Sequence, residues 1–173
     1  MEIKSSVKDH KTGNILPVHY RDIDGEKDFE GLKIDSIRAY CFIKDQLLVV
    51  REAEGHWGLP GGKVEDGEKV RGATRREVME ESNMKITKMR FVSIQEVVFP
   101  KGPAYHVVRM VCLVEPNGDF KTDPAGEVTE IKFIDPSTFI ELSDAHWGKV
   151  ADRMLERALE LKKVMDAEVE FVR

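Results

Sequence analysis

Glu77, Glu80 and Glu81 crowd the end of the segment GGKVEDGEKVRGATRREVMEESNM, residues 61–84. If residues 68–82 form a helix, at about 100° per residue Glu80 lies about 60° to one side of Glu77 and Glu81 about 40° to the other. All three carboxylates then share one face. Like charges three and four residues apart cost roughly 0.2–0.5 kcal/mol per pair, a cost that a hard divalent cation removes. The alternative is a solvated charged helix. Arg76 stands one turn before Glu80 and can hold that carboxylate or a neighbour in one rotamer by a charge-assisted bond. The preceding WGLPGG is turn-forming: Pro60 fixes φ, and the Gly61–Gly62 pair reaches backbone geometries closed to other residues. Such a loop can bring its carbonyls close to an ion.

Gly62, then Glu68 after five residues, then Arg76-Glu77-Val78-Met79-Glu80-Glu81-Ser82-Asn83-Met84 after seven more, resembles the signature box of the Nudix hydrolases. Asn83 is the one departure, standing where the family has Gly; Asn is the next most tolerant residue of a left-handed helix end. Trp57-Gly58-Leu59-Pro60-Gly61 also resembles the family's approach to the box. The resemblance implies an α/β/α sandwich with a mixed sheet, a box helix and a long C-terminal helix. It implies hydrolysis of a nucleoside diphosphate linked to another moiety by water attack at phosphorus, with magnesium or manganese as cofactor. Carried over by position, Glu77, Glu80 and Glu81 ligate the ions, the Gly61 carbonyl is a further ligand, and Arg76 orients the carboxylates. Glu68 either reaches a water-bridged metal or favours the helix N-terminus through the macrodipole. The general base is Glu127, in the loop DPAGEVTE, with Glu130 and the box residue Glu77 as alternatives; the plain reading of Glu127 and Glu130 is surface charge. A nucleotide-sensing module that keeps the fold without cleavage is the alternative function. Pro100 stands near the place where the ADP-ribose group has a proline, and both ADP-ribose-like and nucleoside triphosphate substrates stay open.

The elements that must position these residues are read from periodicity. Residues 1–30 form a polar accessory arm, with a turn at Gly13-Asn14 joining two short strands, and residues 31–173 form the single catalytic domain. IDSIRAYCFIKDQLLVVREA reads as two β segments around a turn near Lys44-Asp45. ITKMRFVSIQEVVFP and AYHVVRMVCLVEP, rich in β-branched and aromatic residues, read as an antiparallel pair, and EVTEIKFIDP as a further strand. Val150, Met154, Ala158, Leu161 and Met165 recur at helical spacing in a long amphipathic C-terminal helix.

The chain has 173 residues, 41% of them hydrophobic and 34% charged, enough for one domain with a sizeable core. A net charge of -5 argues against duplex nucleic acid as a partner. No apolar run reaches the length of a membrane span and the start MEIKSSVKDHK lacks a signal-peptide core, so the expected address is cytoplasmic. Cys41 and Cys112 read as buried reduced thiols. Phe99, Tyr105, Phe120 and Trp147 are candidate stacking partners for a nucleobase. Trp57 reads as packing beside the loop and His106 as structural, while His56 and His146 stay open. The arm and the C-terminal helix offer an interface for a homodimer.

Overall fold

The computed structural model describes residues 1–8, 12–120, 123–124, 126–143 and 149–170. The strands are β1 (Glu2–Lys8), β2 (Ile15–Asp22), β3 (Ser36–Ile43), β4 (Gln46–Glu52), β5 (Trp57–Gly58), β6 (Met84–Val97), β7 (Tyr105–Pro116) and β8 (Val128–Ile134); the α-helices are α1 (Val70–Ser82), α2 (Phe139–Leu142) and α3 (Lys149–Glu170). One sheet runs in the order β1-β2-β6-β7-β3-β4-β5, with β8 pairing β4. Neighbours are antiparallel except β3 and β7, which run parallel with Arg38 opposite Arg109. The sheet is mixed, as expected.

Period-2 alternation builds the layers. Along β3, Ile37, Ala39 and Cys41 face a core shared with Val70, Ala73 and Val78 of α1. Tyr40 and Phe42 face the opposite way, into a core shared with Met154, Leu155, Ala158 and Met165 of α3. Burying each large apolar side chain contributes roughly 1.5–3 kcal/mol. The sheet is therefore held between two helices, the α/β/α arrangement the resemblance implies. The apolar stripe read on the C-terminal helix, Val150 to Met165, is buried throughout.

Within the first thirty residues, β1 and β2 form the edge of the sheet. β1 and β2 pair from Glu2–Arg21 to Lys8–Ile15, and β2 continues onto β6 from Val18–Val97 to Asp22–Ser93. Leu16, Val18, Tyr20 and Ile23 are buried. Lys44 takes a positive φ of 51° at the turn between β3 and β4, where the sequence places it. Cys41 and Cys112 are buried and unbridged. His146 and Trp147 lie outside the described residues. Among the described residues no helix is long and apolar enough to cross a membrane.

Helix α1 starts at Val70, two residues later than the spacing alone suggests. Lys69 is its extended N-cap, at φ -86° and ψ 147°, and Glu68 stays in the loop. The helix ends on Asn83, at φ 52° and ψ 36°, whose N–H donates to the Met79 carbonyl at 2.9 Å. The family's Gly position is thus left-handed here too, and Asn83 fills it while its Nδ2 donates to the Asp119 carbonyl at 3.0 Å.

Candidate active site

The glycine loop is stitched to β3. Ala39 N–H donates to the Pro60 carbonyl and Ile37 N–H to the Gly62 carbonyl, each at 2.9 Å. That leaves no room for side chains. Gly61 has a φ of 147°, and a Cβ there would overlap the Ile37 carbonyl. A Cβ on Gly62 would stand 2.5 Å from the Glu77 Oε1. The two glycines therefore let the loop lie between β3 and the acidic face of α1.

That face is organised by Arg76. Its Nε and Nη2 bind Glu68 bidentately at 3.0 and 2.8 Å, and Nη2 also donates to the Lys63 carbonyl at 3.0 Å. Its Nη1 reaches Glu77 at 2.7 Å and Glu80 at 3.3 Å. Arg76 thus does what its spacing predicts. Glu68 lies before the helix and anchors Arg76, whose guanidinium holds its carboxyl below the usual range. A local helical wheel cannot show this, because the loop turns Glu68 back over the first turn.

Glu81 is 8% exposed and accepts the Gly61 N–H at 2.8 Å. Burial pushes its pKa up to about 7; Glu77 and Asp123 add to the rise, against the Gly61 N–H and Arg38. Glu77 is raised as well, because burial outweighs its bond to Arg76. Both carboxyls carry charge that the protein leaves under-compensated. The Gly61 carbonyl, expected to face an ion, accepts from the Arg38 guanidinium.

These groups line a cleft of about 840 Å³ that also takes in Asp123, Glu127, Tyr105, Gln95 and Arg109. Glu127 lines the same cleft as the box carboxylates, and Glu130 does not. Glu130 sits outside the cleft lining and pairs at 3.4 Å with Arg51 on the sheet surface. Asp123 positions Glu127: its Oδ2 accepts the N–H of Glu127 at 2.8 Å and of Val128 at 3.2 Å. Sequence reasoning missed Asp123, although an Asp-Pro opening with Gly three residues on is a turn signal in which Asp bonds its own backbone. It also missed Arg38, Gln95 and Arg109, whose signal is a polar residue inside an otherwise apolar strand.

Of the aromatic candidates, Tyr105 lines the cleft, Phe99 is exposed and Phe120 stands outside the lining. Trp57 packs against the α3-side core with Lys132 Nζ 3.9 Å from its ring centroid, in keeping with a packing role. His106 is half-buried, its ring 3.6 Å from Glu96, and His56 is exposed away from the lining.

Among the described residues no three carboxylate, imidazole or thiol groups close into a ready-made cation cage. The donor set nonetheless fits magnesium, which keeps several waters and binds through one or two carboxylates plus substrate phosphates rather than an all-protein cage. Buried Glu81 and half-buried Glu77, with exposed Glu80 beside them, supply hard oxygens of that kind.

The family model for the NUDIX domain matches residues 34–157. The chain is 26% identical over 167 residues to the 8-oxo-dGDP phosphatase NUDT18 of Danio rerio, an alignment covering 83% of this chain and 46% of that protein. It is 35% identical over 79 residues to the 8-oxo-dGDP phosphatase NUDT18 of Homo sapiens, covering 43% of this chain and 23% of that protein. The chain spans less than half the length of these curated relatives. The crystal structure of the Bacillus subtilis pyrophosphohydrolase BsRppH superposes with a TM-score of 0.69 at 17% identity, over 90% of this chain and 96% of that one. At that identity the likeness is one of fold.

Proposed function

The chain belongs to the NUDIX family, and from that premise we propose that it is a divalent-cation-dependent pyrophosphohydrolase acting on a nucleoside diphosphate linked to a further group. The observation that carries this reading is the pairing of buried Glu81 with the Gly61 N–H beside Glu77, two carboxyls whose pKa values are both pushed up in one cleft. An acidic wall of this kind repels a diphosphate on its own. Glu77, Glu80 and Glu81 would hold magnesium or manganese, which would supply charge neutralisation and a more acidic water.

The chain's own residues do the rest. Arg76 holds Glu77 and Glu80 in fixed rotamers, and the Gly61 N–H holds Glu81, so three acceptors are set before substrate arrives. Among the described residues no cation ion-pairs with Glu127, which leaves its carboxylate open to take a proton from the attacking water. Glu77 is the alternative base within the box. Tyr105, in the cleft lining, offers a face for a nucleobase. The names of the two relatives, both 8-oxo-dGDP phosphatases, favour a nucleoside diphosphate among the possible substrates.

The test is a panel of ADP-ribose, nucleoside di- and triphosphates, their 8-oxo forms and dinucleoside polyphosphates, each with magnesium. We expect turnover that a chelator abolishes and that Glu81→Gln lowers by about two or more orders of magnitude with the melting curve retained. No turnover across the panel, or near-normal turnover in the variant, would overturn the reading.

A further inference from the structure

The cleft carries a second charged feature, opposite in sign to the acidic wall. Arg38 on β3 and Arg109 on β7 are register partners on adjacent parallel strands, and both line the cleft. Among the described residues neither has a carboxylate within ion-pair distance. Arg109 is 8% exposed, and its Nη1 donates to Gln95 Oε1. Gln95 is 0% exposed, and with its oxygen engaged its Nε2 is left without a hydrogen-bond partner.

Two facts are therefore unexplained by the fold alone. A buried guanidinium facing a second one is repulsive, and proteins ordinarily pair such charges. A buried amide N–H group without a partner loses roughly 1–3 kcal/mol worth of desolvation unless something external accepts from it. Every spare hydrogen-bonding group of Arg38, Arg109 and Gln95 Nε2 is a donor. Burial lowers the pKa of Arg109 and Arg38 adds to that effect, against Tyr40 and Tyr20, and an anion would relieve the net penalty.

We propose that Arg38, Arg109 and Gln95 form a phosphoryl-binding subsite on the sheet, which holds a phosphate of the substrate against the acidic wall of α1. The inference rests on the pyrophosphohydrolase reading and adds the residues that select for an acceptor-only, anionic group. Arg38 links the two halves of the cleft, since it also donates to the Gly61 carbonyl of the glycine loop. A guanidinium gives planar, bidentate geometry suited to phosphate oxygens.

The experiment measures binding of a methylene-bridged, non-hydrolysable nucleoside diphosphate in magnesium, of the corresponding nucleoside, and of manganese alone, by calorimetry. Arg38→Gln is expected to weaken the diphosphate analogue at least about tenfold while leaving nucleoside and manganese binding within about twofold. Gln95→Glu places a carboxylate beside Arg109; it should weaken the analogue similarly without lowering the melting temperature, because it completes a buried ion pair. That combination separates a ligand role from a structural one. Unchanged analogue affinity in both variants overturns the proposal, as does parallel loss of nucleoside binding, which would assign the donors to the carbonyl edge of a base. Absence of manganese binding by the unmodified protein would instead sink the metal-dependent reading.

Discussion

Gly61 donates its backbone N–H to Glu81 at 2.8 Å across the mouth of the cleft, and so ties the end of the box helix to the glycine loop. The bond orients a carboxylate that burial holds near a neutral pKa. It also couples loop geometry to the charge on the helix. A single proton on Glu81 then matters to stability as well as to chemistry.

The pH dependence of stability follows from that proton. Glu81 is raised from 4.5 to about 7, so between those values the folded protein binds more protons than the unfolded chain. Stability from this group is present in full below pH 4.5 and is lost as pH rises to about 7, by about 3 kcal/mol. Chelator-treated protein should therefore show a falling denaturation free energy across that window, and Glu81→Gln should flatten it. A slope unchanged by the substitution would remove burial of Glu81 as its cause.

Arg76 is the hub of the acidic face, and its fork geometry is not one a lysine can copy. Arg76→Lys keeps the charge but cannot bridge Glu68, Glu77 and Glu80 together. We expect manganese affinity and kcat each to fall about 10- to 100-fold, the usual cost of losing a group that orients ligands. Calorimetry and steady-state kinetics read the two effects separately.

Gly62 should resist even the smallest side chain. Gly62→Ala places a methyl 2.5 Å from Glu77 Oε1, so the Glu77 carboxylate must leave its position against Arg76. Manganese binding is expected to weaken by about tenfold or more, with little change in the far-ultraviolet circular dichroism spectrum. Unaltered affinity would mean that Glu77 does not face the ion.

The two loop and strand glutamates should separate cleanly. Glu127→Gln is expected to lower kcat by about 100-fold or more with little effect on KM, as loss of a general base does. Glu130→Gln, which only breaks an exposed pair with Arg51, should leave both constants near those of the unmodified enzyme. A normal kcat in Glu127→Gln would shift the base to Glu77.

The helix carrying Glu77, Glu80 and Glu81 was legible because its information is local. Side chains three and four residues apart share a face whatever the chain does elsewhere, and Asn83 marks the helix end by its own tolerance of positive φ. The strands and the stripe on α3 were legible for the same reason. Glu68 was harder, since its role depends on where the helix begins, and that boundary moved by two residues. Which of Glu127 and Glu130 lines the cleft required the fold. The loop position of Glu127 and the alternation of β8 around Glu130 allow either residue to be surface charge, and the Asp123 turn and the pairing with β4 bring Glu127 into the cleft.

The sequence by itself determined the acidic face: a glycine loop, an orienting arginine and three carboxylates on one side of a helix, all within a short span whose geometry is set by helical periodicity. The tertiary structure alone decided the charges around that face. Arg38 lies far along the chain from the β6–β7 hairpin that carries Gln95 and Arg109, and the parallel register of β3 and β7 makes the two arginines neighbours. No local period encodes that register, because it is set by which apolar faces pack against α1 and α3 at the same time. Burial by those same layers raises the pKa of Glu81, a property no spacing of residues can supply.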